Sequence, residues 1–175
     1  NGITYNSERC TALLHVPDTF VSFQSIESLV AEHNLTKKNE FHVTLIGFAI
    51  GRQVKRVLDK FEANQRKEAE QVFLQLMYSY EWMFELKSEF YLVEKEFQFH
   101  KSPKERRRSI VQLLELNAIS DFYKALNEAL NLNLECPFPH ITLATWCDNP
   151  DNALMGIGIA SKSDFDSLQP TLLNI

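Results

Sequence analysis

One tetrapeptide pattern occurs twice in this chain and constrains its fold more than any other feature. The pattern is His42-Val43-Thr44-Leu45 in the first half and His140-Ile141-Thr142-Leu143 in the second. Both copies lie in runs of apolar and β-branched residues, 41–49 and 139–146, that are typical of β-strands. Because successive side chains of a strand point to opposite faces, the His and the Thr of each copy share a face. The sequence therefore predicts two strands that each present an imidazole beside a hydroxyl.

The repeat is too specific to arise easily by chance. Two of the five histidines are followed by Thr two positions later and by Leu three positions later. At ordinary residue usage, we put the chance of this at roughly one in a few thousand. A single strand histidine is more often a partly buried residue that hydrogen-bonds locally, and we interpret His15 in this way. The matched pair instead favours a function.

Two imidazoles and two hydroxyls that face each other are suited to phosphate ester chemistry. An imidazole titrates near pH 6.5, so two nearby histidines can hold different protonation states at neutral pH. One can take a proton from water while the other gives a proton to the leaving oxygen. The hydroxyls of Thr44 and Thr142 can donate to the nonbridging phosphate oxygens. The reaction that fits is the opening of a cyclic phosphodiester, with ligation as its reverse. Either His42 or His140 can be the base.

The motifs and their flanking residues resemble the 2H phosphoesterase superfamily, which includes 2′,3′-cyclic nucleotide phosphodiesterases and bacterial 2′–5′ RNA ligase-like proteins. Phe41 precedes the first His and Phe138-Pro139 precedes the second, which adds to the likeness. The resemblance covers most of the chain as one such domain, residues 1–175. It implies hydrolysis of a 2′,3′-cyclic phosphate to a 2′-phosphate, or cleavage of a 2′–5′ linkage. His42 and His140 would be catalytic, and Thr44 and Thr142 would bind phosphate.

Two other classes of function stay open. A binding module of the same fold would recognise a nucleotide or an RNA end without turning it over. A purely structural domain would keep both imidazoles in its core, with no shared cleft. The distance between the two imidazoles, and whether they face one pocket, distinguishes the structural domain from the other two.

Chain length and net charge limit the kinds of binding partner that we expect. The 175 residues predict one domain with a substantial core. A net charge of −5 weighs against a protein that grips long nucleic acid through many phosphates. A nucleotide or a short RNA end needs only a local site and remains the expected partner. We expect a monomer.

Cysteine usage and hydropathy indicate the setting of the protein. Cys10, Cys136 and Cys147 are scattered without C-x-x-C spacing, and such an odd, sparse set is typical of a reduced, cytoplasmic protein. No His/Cys cluster has the spacing of zinc ligands, so we expect neither a metal nor another cofactor. No apolar run approaches about 18 residues, so no membrane span is predicted.

The order of predicted elements indicates an α+β fold. We expect two similar lobes of antiparallel sheet with helices packed outside and with the motif strands facing a central cleft. A doubly wound fold is disfavoured because the chain has no Gly-rich strand-to-helix turn. The other predicted elements are a strand at 10–16, a helix at 20–33, a turn at 37–39, a helix at 53–79 whose charged middle is a solvated face or a break, a hairpin of 82–87 with 90–97, a strand at 108–116, a helix at 121–131 capped by Ser120, and a short helix capped by Ser163.

Two further features are candidates for ligand contacts. Strand alternation puts Phe48 on the face of His42 and Trp146 on the face of His140, where both could stack on a base. The simpler interpretation is that they cap the core, and a β-bulge would break the alternation. The basic segment 101–108 could bind RNA phosphates, but a solvated hairpin tip is the simpler interpretation.

Overall fold

The chain forms an antiparallel β-sheet that is flanked by helices, as a computed structural model of residues 2–175 shows. The strands are β1 (Ile3–Asn6), β2 (Thr11–Val16), β3 (Thr36–Lys37), β4 (Phe41–Ile46), β5 (Phe84–Phe97), β6 (Glu105–Leu116), β7 (His140–Cys147) and β8 (Thr171–Leu172). Within the described residues these strands form one sheet in the order β1-β2-β4-β7-β6-β5-β8, and β3 also pairs with β7. The predicted α+β class is confirmed.

The helices are α1 (Glu27–Glu32), α2 (Phe48–Leu58), α3 (Ala63–Ser79), α4 (Ile119–Leu130) and α5 (Lys162–Ser167). Short 3₁₀ turns occur at Asp18–Phe20, Phe23–Ile26 and Pro150–Asn152. The first four helices contribute buried side chains to the main core, together with the inward residues of the sheet. Tyr123 of α4 also donates a hydrogen bond to the carbonyl oxygen of Leu45 in β4, at 2.7 Å. The helices therefore hold one motif strand from the core side.

The two motif strands, β4 and β7, are neighbours in this sheet. The sheet is continuous through residues 2–175, so the two separate lobes expected from the sequence are not seen. The strands lie side by side rather than facing each other across a cleft. In β4 the side chains of Phe41, Val43 and Leu45 are buried, whereas those of His42 and Thr44 stay partly accessible. The alternation predicted for the first motif is therefore present.

A smaller apolar cluster lies apart from the main core. It joins Val93 of β5 and Val111 and Leu113 of β6 to a C-terminal segment that contributes Ile157, Ile159 and Phe165. Because Ile110 and Leu114 of β6 belong to the main core, the alternation of β6 puts this cluster on the other face of the sheet. That second face is covered by the C-terminal segment at β5 and β6.

The predicted helix at 53–79 is wrong in its start, and of the two alternatives for its charged middle the structure has the break. Helix α2 begins at Phe48 and ends at Leu58, and α3 begins at Ala63. Asp59, which follows α2, accepts hydrogen bonds from Lys55 at 2.6 Å and from Arg66 at 3.0 Å. The chain therefore breaks just before its charged stretch, and side chains from both helices bind the carboxylate at the break.

The predicted hairpin of 82–87 with 90–97 is also wrong, because both runs belong to the single strand β5. The partner of β5 is β6, and their register shifts between Leu86 and Phe90. Gln112 of β6 donates a side-chain hydrogen bond to the carbonyl oxygen of Lys87 at this bulge, at 2.8 Å. The bulge therefore keeps a hydrogen-bond partner. Its polar residues Ser88 and Glu89 separate two apolar runs of one strand, which resembles a turn in the sequence.

The remaining differences concern element ends. Residues 20–33 form short 3₁₀ turns followed by α1 rather than one helix, and the predicted turn at 37–39 begins within β3. Helix α4 is preceded by Ala118 rather than Ser120 as its N-cap. Helix α5 is capped by Ser161 rather than Ser163, since the Ser161 hydroxyl accepts a hydrogen bond from the backbone N–H of Asp164. Across residues 2–175, every helix is too short or too polar to span a bilayer.

Candidate functional site

The two halves of the repeat meet at one registered pair of residues. Val43 of β4 lies opposite Ile141 of β7, and both are fully buried in the main core. The residues on either side of this pair therefore point to the other face of the sheet. In an antiparallel pair this register puts His42 beside Thr142 and Thr44 beside His140. Each imidazole thus has the hydroxyl of the other copy as its neighbour.

The neighbouring strands extend this face on both sides. On β6, Leu113 lies opposite His140 and Val111 lies opposite Thr142. On β2, Leu13 lies opposite Thr44 and His15 lies opposite His42. The four motif side chains therefore share a face with the smaller apolar cluster on one side and with β2 on the other.

His15 lies at the edge of this site. Its side chain is exposed and pairs in register with His42, and its charge contributes to lowering the pKa of His42. The sequence interpretation of His15 as structural therefore missed its position. No pattern in one sequence marks it, because pairing between β2 and β4 is a property of the fold.

The ring of His140 has a fixed orientation. Its Nδ1 lies 2.7 Å from the carbonyl oxygen of Phe138, to which a protonated Nδ1 donates a hydrogen bond. In the neutral imidazole this leaves Nε2 as the acceptor. The Phe138 ring is itself packed against Phe165 of α5, with 4.8 Å between ring centroids. The extended segment before β7 therefore sets both the tautomer and the direction of the imidazole.

Both motif histidines have a lowered pKa. For His42 the main cause is burial, and the positive charge of Lys38 adds to it, whereas the charge of Glu40 opposes it. For His140 burial also dominates, the hydrogen bond to Phe138 opposes it, and the charge of His42 lowers the pKa further. Burial disfavours an imidazolium because it removes the charge from water. Both rings are therefore neutral in the free protein at neutral pH, and His140 responds to charge on His42.

A bound anion would change this balance. A phosphate between the rings brings negative charge, which favours the protonated form of an imidazole and raises its pKa. Ligand binding can then lead to protonation of one imidazole, which supplies the general acid. No other side chain within residues 2–175 forms a hydrogen bond with the imidazole of His42 or with the hydroxyls of Thr44 and Thr142. These groups are free to contact a ligand.

The structure adds Lys38 and the segment 153–156 to the site. The Lys38 side-chain nitrogen donates a hydrogen bond to the carbonyl oxygen of Leu154 at 2.6 Å. A Cβ atom added to Gly156 would lie 3.9 Å from the hydroxyl oxygen of Thr142. The segment 153–156 therefore borders the motif face. Lys38 was predicted to lie in a turn. Its place at the site could not be predicted, because it depends on a contact with Leu154, in a distant part of the chain.

Phe48 does not lie on the motif strand. Strand β4 ends at Ile46, and Phe48 is the first residue of α2, so the predicted alternation does not reach it. Its ring is 55% exposed, and the guanidinium groups of Arg9 and Arg52 lie 6.0 Å and 4.7 Å from its centroid. The shared face predicted for Phe48 and His42 is therefore wrong, while its exposure leaves it open to a ligand.

Trp146 lies on the opposite face from His140. The register between β6 and β7 shifts, so that consecutive residues Ile110 and Val111 pair with Ala144 and Thr142. This bulge reverses the alternation, and Trp146 packs against the main core, opposite Arg108. The Arg108 guanidinium lies 4.3 Å from the Trp146 ring centroid. The shared face predicted for Trp146 and His140 is therefore wrong, and the position of Trp146 fits the core interpretation.

The basic segment 101–108 is largely neutralised by carboxylates. Strand β6 begins at Glu105, so the three arginines of the segment are in a strand rather than a loop. Arg106 and Arg108 both contact Glu94, at 2.9 Å and 2.8 Å, and Lys104 contacts Glu96 at 3.2 Å. The Arg107 side chain is only 7% exposed and pairs with Glu105. These contacts disfavour the segment as an RNA-binding surface.

Among the described residues, the motif face has no cluster of metal ligands and lies apart from a surface cavity. Residues 2–175 contain no group of three or more His, Cys, Asp or Glu residues arranged to hold a metal ion. A surface cavity of about 590 Å³ is lined by Phe138 and Pro139, just before β7, and by residues of β5 and β6, but not by the four motif side chains. The motif face is therefore separate from this cavity.

Comparisons with known proteins assign no relative to the chain. Searches of protein families, of curated proteins and of solved structures each returned no match.

Proposed function

We propose that this protein is a metal-independent phosphoesterase of the 2H type. It would hydrolyse a cyclic phosphodiester, such as a 2′,3′-cyclic nucleotide or RNA end, or cleave a 2′–5′ linkage. The observation that supports this most strongly is the pairing of Val43 with Ile141, because it brings both His-x-Thr motifs to one face of the sheet. A structural role alone would not require two partly accessible imidazoles beside two hydroxyls.

The proposed reaction uses the four motif side chains in two pairs. One neutral imidazole accepts a proton from water, and the water oxygen attacks phosphorus. For a 2′,3′-cyclic phosphate the new bond joins this oxygen to phosphorus, and the bond between phosphorus and the 3′ oxygen breaks. The second imidazole, protonated, gives its proton to the 3′ oxygen. The product is a 2′-phosphate and a 3′-hydroxyl.

The hydroxyls of Thr44 and Thr142 would hold the nonbridging phosphate oxygens. Negative charge on these oxygens must be stabilised as water attacks, and hydrogen bonds from positioned donors do so. Each hydroxyl lies beside the imidazole of the other motif, so one phosphate could contact all four side chains. Either His42 or His140 could be the base, since the site is nearly symmetric in its groups.

Removal of either imidazole tests the proposal. We expect His42→Ala and His140→Ala each to lower the turnover of 2′,3′-cyclic AMP by about 10²–10⁴, the usual contribution of a general acid or base. Wild-type activity should persist in EDTA. His100→Ala is the matched control, because His100 lies between β5 and β6, outside the motif strands. Near wild-type turnover by either motif variant would refute the mechanism.

A second candidate is a binding module that holds a nucleotide or an RNA end without turnover. The observation that favours it is the lowered pKa of both His42 and His140, which leaves the free protein without a protonated general acid at neutral pH. Prolonged incubation with 2′,3′-cyclic AMP distinguishes the two. Recovery of the bound ligand intact, with binding lost in His42→Ala, would favour the module.

A further inference from the structure

Lys38 lies beside the second motif strand. Its backbone N–H donates a hydrogen bond to the carbonyl oxygen of Leu143, at 2.9 Å, next to Thr142. The preceding residue, Lys37, pairs with Ala144 and directs its ammonium group toward the rings of Phe23 and Phe41 on the main core face. Because adjacent residues of an extended segment point to opposite faces, the Lys38 side chain is directed to the face of the motif histidines.

Contacts of the segment 153–156 confirm this direction. The Lys38 side-chain nitrogen donates to the carbonyl oxygen of Leu154 at 2.6 Å, and the hydroxyl of Thr145 donates to the carbonyl oxygen of Ala153 at 2.7 Å. Thr145 pairs with Ser109, which lies on the same face of β6 as Val111. The Lys38 ammonium is therefore at the border of the motif face, where Gly156 approaches Thr142.

The charge of Lys38 has no ion-pair partner. None of the salt bridges within residues 2–175 involves it, although its side chain is partly buried. The Leu154 carbonyl satisfies one of the three ammonium donors, which leaves two for other groups. The charge of Glu40 offsets part of the cost of burying this ammonium, and an anion in the site would relieve more of it.

The charge of Lys38 also affects the protonation of His42. It lowers the pKa of His42, while burial lowers the pKa of Lys38 itself. The other charged or titratable groups that act on His42 are Glu40, on the same segment, and His15 on β2, and His42 in turn acts on His140 of β7. Among these residues Lys38 is the one lysine or arginine, so its side chain is the one suited to binding an anion.

We propose that Lys38 is a substrate-binding residue whose ammonium group contacts a nonbridging oxygen of the phosphate held between His42 and His140. In the free protein that ammonium group donates a hydrogen bond to the Leu154 carbonyl oxygen. The ammonium adds a full positive charge to the two hydroxyl donors, and a phosphate oxygen is a stronger acceptor for it than a carbonyl. The catalytic part of this inference rests on the proposed phosphoesterase function, whereas anion binding does not.

Calorimetric titration with inorganic phosphate at pH 7 tests the anion site. We expect Lys38→Met to weaken phosphate binding about tenfold or more, the usual effect of losing a charged hydrogen bond. Lys38→Arg should keep most of the affinity. Lys37→Met is the matched control, because it removes the same charge from the opposite face, and it should change the affinity less than about twofold.

A second control separates charge from support of the segment 153–156. Thr145→Val removes the hydrogen bond to Ala153 without changing charge, so phosphate affinity should stay near that of the wild type. An equal loss in Thr145→Val and Lys38→Met would overturn the proposal, since Lys38 would then act only through the segment. A wild-type protein that binds no phosphate would overturn it as well.

Titration of the imidazoles by NMR adds a readout that loss of structure would not give. We expect the pKa of His42 to rise in Lys38→Met and to stay unchanged in Lys37→Met, because of these two lysines only Lys38 acts on His42. An unchanged pKa of His42 in Lys38→Met would contradict the proposed position of the ammonium group.

Turnover of 2′,3′-cyclic AMP distinguishes failure of this inference from failure of the proposed function. If the wild type hydrolyses it and Lys38→Met binds phosphate normally, the Lys38 site is wrong and the phosphoesterase function stands. If the wild type does not hydrolyse it and Lys38→Met still loses phosphate affinity, the anion site stands and the function is wrong.

Discussion

The protonation of His42 and His140 sets the pH range in which this site could work. A general acid must carry a proton while the base does not, so the active form has one proton shared by the pair. Burial lowers both pKa values below the ordinary value of about 6.5. In the free protein the singly protonated pair is therefore most populated on the acidic side of neutrality.

The lowered pKa values predict different pH profiles for two kinetic constants. The profile of kcat/KM reports the free enzyme, so its maximum should lie below about pH 6.5. The profile of kcat reports the enzyme–substrate complex, in which the phosphate charge raises the imidazole pKa values, so its maximum should lie at higher pH. Steady-state rates between pH 5 and 9 with 2′,3′-cyclic AMP measure both. A kcat/KM maximum above neutrality would contradict the lowered pKa values.

At the same scale, the sequence identified residue types better than residue positions. His42, Thr44, His140 and Thr142 were predicted to share a face, and the structure brings them together on neighbouring strands. Lys38 and His15 were missed because their contacts with the site depend on strand pairing and on a loop more than a hundred positions away. Periodicity reports only which face a residue occupies within its own element.

At the scale of elements, the wrong predictions have a common cause. The bulge in β7 moved Trp146 to the core face, and the bulge in β5 made one strand look like a hairpin. The one-residue bulge in β7 shifts the alternation, whereas the longer insertion in β5 leaves it unchanged, and no residue type marks either one reliably. The end of β4 at Ile46 was missed because the apolar residues continue into the first turn of α2. Strand β4 has a similar shift against β2, where Ala12 and Leu13 pair with Ile46 and Thr44, so its alternation holds from Phe41 to Leu45 and is lost at the buried Ile46.

Helix α2 is held against the turn between β1 and β2 by a close approach at Gly51. A Cβ atom added there would lie 2.5 Å from the carbonyl oxygen of Arg9 and 3.1 Å from that of Cys10. Both contacts are backbone atoms, which cannot rotate away as a flexible side chain could. The helix therefore packs closer to the turn than any larger residue would allow.

We predict that Gly51→Ala destabilises the protein in spite of the better helix propensity of alanine. Propensity favours alanine by about 1 kcal/mol, whereas forced displacement of packed backbone costs about 1–3 kcal/mol. The expected net loss in the free energy of unfolding is about 1 kcal/mol, measured by urea denaturation. Gln53→Ala, exposed on the same helix, should change it by less than about 0.5 kcal/mol. Equal stability of both variants would show that the turn can shift.

At the scale of the whole molecule, the helices and the site occupy opposite faces of one sheet. Helices α1 to α4 pack into the main core, which holds Val43 and Ile141 in place. On the opposite face the C-terminal segment covers β5 and β6 and borders Thr142 and Thr145 of β7, and the motif side chains stay partly accessible. The α+β class followed from the order of elements, but the arrangement of one continuous sheet depends on pairings between distant strands.

Charge over the whole molecule predicts how much of an RNA this protein could hold. The net charge is −5, and the arginines of the basic segment 101–108 are paired with Glu94 and Glu105. Nucleic acid binding through many phosphates requires unpaired positive charge and is strongly weakened by salt. We therefore expect an RNA hexamer ending in a 2′,3′-cyclic phosphate to bind only a few-fold more tightly than 2′,3′-cyclic AMP, in catalytically inactive His42→Ala. Both affinities should fall with salt at about the slope of one or two phosphate contacts.

The variant Arg106→Ala/Arg108→Ala tests the reason for this expectation. It removes two guanidinium groups that share the single Glu94 carboxylate, which offsets one of their two charges, so the affinities for the hexamer and for the mononucleotide should both change by less than about twofold. Arg9→Ala/Arg52→Ala is the comparison, because these two guanidinium groups flank the exposed Phe48 ring instead of a carboxylate. A large loss of hexamer affinity in the first variant alone would show that RNA displaces Glu94, and would return the segment 101–108 to the binding surface.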